Sequence, residues 1–181
     1  MFLSDEDILK TIKIKGQEEF AFNQLMQKYQ QKVYSLVRRM IISHDDANDI
    51  TQDVFIKCWN KIAEFRGDSQ LYTWLYRIAT NETINFLKQK RRKMFIPFSK
   101  MEKKMTGVLD SSINFSGDEI ENKLQKALLK LPNKQRLVFN LRYYDEMEYK
   151  QMSEVLGTSE GALKASYHHA VKKVEKLLFY C

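Results

Sequence analysis

Residues 65–93, FRGDSQLYTWLYRIATNETINFLKQKRRK, combine the two side-chain chemistries that hold an unpaired nucleic-acid strand. Tyr72, Trp74 and Tyr76 offer flat aromatic faces on which bases stack. Lys88, Lys90, Arg91, Arg92 and Lys93 form a cationic run that neutralises phosphates. Trp74 also stands at helical spacing from Leu71 and Ile78, and that spacing favours a core role for it over stacking. A second constellation lies near the C-terminus. A short helix over 149–156, Gly157, a capping Ser159 and a longer helix make the layout of a helix-turn-helix. With Leu163 and Tyr167 turned to the core, the outward positions of that longer helix are Glu160, Gly161, Lys164, Ala165, His168 and His169. Lys164 and the histidines donate to phosphates or base edges, Glu160 accepts from a cytosine amine, and Ser159 opens a helix start whose N–H groups suit a phosphate. An ordinary helical hairpin has the same spacing. The third constellation is acidic: Asp45, Asp46, Asp49 and Asp53 crowd the start of one helix, either as partners of the helix dipole or as a docking surface.

These residues need long helices to position them, and the pattern is helical nearly throughout. Ser4 caps a first helix carrying Ile8, Leu9 and Ile12, with Gly16 as its stop. A second helix runs from about Gln17 to Met40, with Phe22, Leu25, Tyr29, Val33, Leu36 and Met40 as its buried stripe. A third follows Ser43 to about Glu64, with Ile50, Val54, Cys58 and Ile62 in line. Asp68 or Ser69 caps the aromatic helix. Periodicity fails over 94–117, which reads as a linker able to reach about 80 Å when extended. It resumes at a Ser116–Glu119 capping box, with Ile120, Leu124, Ala127 or Leu128, and Leu131 as the next stripe. Pro132 separates that helix from one carrying Leu137, Val138 and Leu141. The last helix buries Leu163, Tyr167, Ala170, Val174 and Leu177. The fold class is therefore all-α: two small helical domains, 1–93 and 118–181, joined by a flexible linker, the second a helix-turn-helix.

The chain has 181 residues, a net charge of +7, six Gly and two Pro. The excess charge suits a polyanionic partner without proving one, and it is spread along the chain. Only locally is it polarised, acidic over 45–53 and basic over 88–93, which suggests two different partners. Cys58 and Cys181 cannot build a disulfide framework, so a reducing compartment is expected. MFLSDEDILK is not a secretory signal, and no stretch has the roughly 18 apolar residues of a membrane span. The expected location is cytoplasmic.

FRGDSQLYTWLYRIATN resembles the promoter-melting segment of bacterial extracytoplasmic-function (ECF) sigma factors, the small two-domain members of the sigma-70 family. Phe22…Tyr29…Val33-Tyr34 and Asp46-Ala47-Asn48-Asp49-Ile50-Thr51-Gln52-Asp53-Val54-Phe55…Trp59 are similar to the same N-terminal domain. Leu131-Pro132, Gln135-Arg136, Leu141-Arg142, Leu156-Gly157, Ser159, Gly161 and Lys164 are similar to the family's C-terminal domain. The resemblance implies that Asp46, Asp49, Gln52, Asp53 and Trp59 dock on the clamp helices of the polymerase β′ subunit. It implies that Phe65, Arg66, Gly67, Asp68, Ser69, Tyr72 and Asn81 form the pocket or rim for a base flipped out at the −10 element, with Lys88, Arg91 and Arg92 on phosphates. Ser159, Glu160, Gly161, Lys164, Ala165, Ser166, His168 and His169 would read the −35 element. Core RNA polymerase, through the clamp helices and the β-flap, promoter DNA and an anti-sigma factor are the partners implied. The recognition helix departs from the family where Ala162, Ala165-Ser166 and His169-Ala170-Val171 replace its usual Thr, Ser-Arg and Arg-Ala-Arg, so it should make fewer charge-assisted contacts.

No P-loop, dinucleotide fingerprint, zinc-protease motif or Cys/His ligand spacing occurs. The expectation is a protein without cofactor, metal or catalytic residue, directing another enzyme's chemistry. Two other classes share parts of the pattern. A dimeric helix-turn-helix repressor or activator would leave the acidic helix without a role, and a protein-only helical adaptor would leave the basic run without one.

Overall fold

The computed structural model describes residues 3–94, 107 and 119–179. Among them are eight helices and no strand: α1 Asp5–Thr11, α2 Glu18–Met40, α3 His44–Ile62, α4 Leu71–Met94, α5 Glu119–Leu129, α6 Asn133–Tyr143, α7 Tyr149–Leu156 and α8 Glu160–Phe179. Apart from residues 94 and 107, the expected linker lies outside the described residues, as do the capping Ser116 and Cys181.

The helix starts follow local chemistry. The Asp7 N–H donates to Ser4 Oγ and the Asp46 N–H to Ser43 Oγ, so α1 and α3 begin where a hydroxyl satisfies an orphan donor. The aspartates that follow meet the positive end of each helix dipole. α4 begins later than a cap at Asp68 or Ser69 would place it: the Trp74 N–H donates to the Gln70 carbonyl at 3.0 Å. Gly157 ends α7 in the left-handed region, at φ 61° and ψ 35°, where a Cβ is unwelcome. Gly67, at φ 83°, turns the chain between α3 and α4.

α1–α4 pack around the stripe that the spacing predicts. Leu25, Val33, Leu36 and Met40 of α2 are fully buried against Val54 and Cys58 of α3 and Leu75 and Ala79 of α4. Each such aliphatic side chain contributes roughly 1.5–3 kcal/mol by leaving water. The buried face of α4 also carries Thr80 and Thr83, whose hydroxyls donate back to the Tyr76 and Ala79 carbonyls at 2.8 and 2.7 Å and so bring no unpaired polar atom inside. α1 is pinned to α2 by Asp5, which receives Lys28 and the Tyr29 hydroxyl at 2.7 Å each.

α5–α8 form the second unit. Ala127, Leu128, Leu131, Phe139, Ala170 and Val174 are its core, and Phe139 stacks on Tyr167 at 5.7 Å. Glu121 accepts from the Tyr144 hydroxyl at 2.9 Å and ties α5 to α6. One expected core residue is elsewhere: Ile120 is 72% exposed. It lies in the first turn of α5.

Cys58 is fully buried among these apolar side chains, and desolvation pushes its thiol up to about 12. At pH 8 the thiolate fraction is then on the order of one in ten thousand. Labelling with a thiol reagent should find Cys58 silent in the native protein and reactive only after denaturant is added, while fast labelling of native Cys58 would contradict this burial.

Candidate functional site

The acidic helix α3 lies beside α2, and between them runs a groove of about 890 Å³. Phe22, Met26, Tyr34, Phe55, Ile56 and Trp59 make its walls largely apolar, and Gln30, Gln31, His44, Asn48 and Gln52 supply its polar atoms. Trp59 stands edge-on to Phe22, with ring centroids 5.0 Å apart. It nevertheless remains 41% exposed, and Ile56 beside it 58% exposed. Asp49 and Asp53 are exposed on the outer face of the same helix. An uncovered apolar strip edged with carboxylates suits an apolar partner surface bordered by cations.

Of the five residues expected to dock on polymerase, the structure brings Gln52 and Trp59 to this groove and leaves Asp49 and Asp53 on its acidic shoulder. Asp46 has another engagement: it forms an ion pair with Lys90 of α4. Sequence reasoning missed Ile56, and Phe20, which is 55% exposed on α2. The available signal was phase, since both are large apolar residues standing off the buried stripes of their own helices.

The residues expected at the −10 element do not converge on one pocket. Arg66, Gly67 and Asp68 are exposed in the turn before α4, whereas Lys88, Arg91 and Arg92 are exposed near its far end. Twenty-four residues of α-helix separate these ends by about 36 Å at ~1.5 Å per residue. They would meet different nucleotides of a strand lying along α4. Phe65 is only 9% exposed and packs on half-buried Trp74, ring centroids 5.3 Å apart. Tyr72 is half-buried between Tyr29 and Tyr76, with Lys32 over its ring at 6.0 Å. Burial raises the pKa values of the Tyr72 and Tyr76 hydroxyls, so both stay neutral donors across the physiological range. Tyr76 belongs wholly to the core. Ser69 is partly exposed and Asn81 exposed.

The expected −35 set is gathered on one helix face. Ser159, Glu160, Gly161, Lys164, Ala165, His168 and His169 are all exposed and Ser166 partly so. The Ala162 N–H donates to Ser159 Oγ at 3.4 Å. Lys164 is held above the Tyr149 ring at 5.5 Å and lies 3.9 Å from Glu160, so its ammonium group is oriented before any partner arrives. The His168 and His169 rings diverge, with centroids 6.2 Å apart. Among the described residues, no cluster of His, Cys, Asp or Glu has the geometry of a metal site, and no helix is long and apolar enough to cross a membrane.

Comparison with known proteins assigns the class that this pair of helical units defines. The sigma-70 region 2 family model matches residues 25–93, and the sigma-70 region 4 model matches residues 121–174. The chain is 33% identical to the ECF RNA polymerase sigma factor SigW of Bacillus subtilis (strain 168), over 94% of this chain and 96% of that protein. It is 31% identical to the ECF RNA polymerase sigma-E factor of Escherichia coli (strain K12), over 96% and 93% respectively. The chain belongs to the ECF sigma factors of the sigma-70 family. That family consists of transcription regulators rather than enzymes. The fold is shared with the sigma factor RpoE solved in complex with the anti-sigma factor NepR from Bartonella quintana, at TM-score 0.68 and 23% identity, covering 87% of this chain and 96% of that one. It is shared also with CnrH, solved in complex with the cytosolic domain of CnrY, at TM-score 0.67 and 22% identity, covering 96% and 94%.

Proposed function

We propose that this chain directs core RNA polymerase to specific promoters as an ECF sigma factor, through three surfaces of its own. The α2–α3 groove, with Gln52, Ile56, Trp59 and the carboxylates of Asp49 and Asp53, docks on the polymerase clamp. The turn Arg66–Ser69 and the exposed side of α4 hold the opened −10 strand, with Lys88, Arg91 and Arg92 on phosphates. The exposed face of α8, led by Ser159, Lys164, His168 and His169, reads the −35 element. The functional units are 1–93 and 118–181, with 94–117 spanning between them in the cytoplasm. An anti-sigma factor is the natural regulator, in line with the sigma factor RpoE of similar fold, solved in complex with the anti-sigma factor NepR.

The observation that carries the reading is the uncovered Ile56–Trp59 strip beside an acidic helix face, in a chain whose opposite chemistry sits at the end of α4. A dimeric repressor would bury such a strip between two copies, so dependence on core polymerase is what separates the two readings. Run-off transcription with bacterial core polymerase, on templates randomised at both promoter elements, tests it. Transcripts that require the protein support the assignment and give its promoter. An active core that yields none, beside a chain that binds duplex DNA alone, would return the repressor reading.

A further inference from the structure

Four helices converge on a cavity of about 390 Å³. Helical spacing puts its residues there. Ile84 and Lys88 stand one turn apart on α4, and Leu137 and Val138 follow Lys134 by three and four residues on α6. Leu156 ends α7, and Ala162, Leu163 and Ser166 come from the start of α8. Burial sorts these side chains by depth. Leu137, Val138 and Leu163 are at most 4% exposed and form the floor, which half-buried Ile84 and Leu156 continue. Lys88 and Lys134 are exposed and stand at the mouth.

The lining is one-sided in its chemistry. Among the described residues that form it, none is aromatic and none carries a carboxylate. The aliphatic floor offers no ring face on which a base or an aromatic acid would stack. It suits a flexible alkyl chain, whose burial is favourable in proportion to the apolar area removed from water. Two lysines without a counter-charge repel a cationic head and attract an anionic one. Neither has an ion-pair partner among the described residues, unlike Lys90, two positions after Lys88, which is paired with Asp46. The Ser166 hydroxyl and the Asn81 amide line the same cavity and supply neutral donors for the oxygens of such a head. The volume falls in the range of about 300–1,000 Å³ usual for small-ligand sites.

We propose that this cavity binds an amphipathic anion of the fatty-acid class, its alkyl chain along Leu137, Val138 and Leu163 and its carboxylate between Lys88 and Lys134. The site itself is independent of what the chain does at promoters, and only its consequence rests on the sigma-factor reading. In that reading Lys88 meets a −10 phosphate and Ser166 belongs to the −35 set. A ligand that engages both withdraws them from DNA, so ligand and promoter each weaken the binding of the other. An acyl chain with an anionic head comes either as a free acid or within a bilayer. A bilayer is met by an exposed apolar face, whereas the apolar residues here form a concave floor, so the free acid is the expected form.

Calorimetric titration of the full chain with sodium decanoate, kept below micelle formation, tests the site without polymerase or DNA. Saturable binding at a single site is expected. Each buried methylene is worth about fourfold in affinity, so octanoate should bind about 15-fold more weakly. Decyltrimethylammonium should bind about tenfold more weakly than decanoate, or worse, because its head meets the lysines. Lys134→Glu, at an exposed position outside the promoter surfaces, should lose about tenfold for decanoate and narrow the gap between the two heads. Ala162→Leu, which fills the cavity from its exposed side, should lose about as much, and it keeps the test valid if Lys134→Glu unfolds. No binding of decanoate, equal binding of the two heads, or binding indifferent to both substitutions would overturn the proposal. Binding to phosphatidylglycerol vesicles without binding of monomeric decanoate would also overturn it, in favour of a membrane surface. Run-off transcription by the wild-type holoenzyme without ligand decides the sigma-factor reading separately. Transcripts without decanoate binding would leave that reading standing, and decanoate binding without transcripts would uphold the site and remove its consequence.

Discussion

Replacing Trp59 by alanine is expected to weaken binding to core RNA polymerase by roughly 30-fold or more and to suppress promoter-specific transcripts, with little change in thermal stability. The size follows from what the side chain is. A tryptophan left 41% exposed in an otherwise apolar groove has the features of an interface anchor, and truncating such anchors typically costs at least 2 kcal/mol. A tenfold change in affinity corresponds to ~1.4 kcal/mol. The fold loses the edge contact with Phe22 at the rim of the groove, while the continuous core of α2, α3 and α4 runs through Val33, Val54, Cys58 and Leu75. Ile56→Glu should act as strongly, since it sets a charge on the uncovered strip. Asp53→Ala should instead slow association and weaken its salt dependence, because an exposed carboxylate at the rim steers more than it binds. Asp46→Ala should have less effect on polymerase binding than Asp53→Ala, as Asp46 is already paired with Lys90. Titrating fluorescently labelled protein with core enzyme at several salt concentrations, alongside thermal melts, measures all four. Unchanged affinity in both Trp59→Ala and Ile56→Glu would remove the groove from the docking surface.

The helices and most of the core were legible in the sequence because three- and four-residue spacing reports burial directly. Phe22, Leu25, Tyr29, Val33, Leu36 and Met40 are all buried, and α7 spans Tyr149–Leu156 with Gly157 as its stop. The family signature fell within the two stretches that the sigma-70 region 2 and region 4 models match, residues 25–93 and 121–174. What spacing could not convey was the state of individual side chains within those regions. Phe65 and Tyr72 carry the aromatic character that base stacking needs, yet one packs on Trp74 and the other between two tyrosines. Asp46 looked equivalent to Asp49 and Asp53, but a turn of helix places it within reach of Lys90, 44 residues on. The Arg39–Asp145 contact joins residues 106 apart in two units and has no local periodicity to announce it. Ile120 failed in the opposite sense: it fits the stripe of α5, yet it is 72% exposed.

That difference between equivalent-looking charges gives the second large effect. The combined change of Lys88, Arg91 and Arg92 to alanine is expected to lower affinity for an opened −10 strand by about two orders of magnitude at moderate salt, while Lys90→Ala alone does far less. All three side chains are exposed on the last turns of α4, where each phosphate they meet releases a condensed counterion. For a single strand, the slope of log affinity against log salt falls by about 0.7 per contact, so removing three contacts should flatten it by about 2. Lys90 spends its charge on Asp46 and lies over the Phe86 ring at 5.2 Å, so its loss should leave the slope nearly unchanged and show instead as a modest loss of stability between α3 and α4. Exposed charges contribute little to folding, which separates the two outcomes cleanly: the triple variant should melt like the wild type but bind weakly, and Lys90→Ala should do the reverse. Strand-binding titrations with holoenzyme from low to moderate salt, using a −10 non-template oligonucleotide, supply the slopes. A triple variant with the wild-type slope would place the strand on another face of the α1–α4 unit, and the Arg66–Ser69 turn would then have to bind the flipped base without phosphate support from α4.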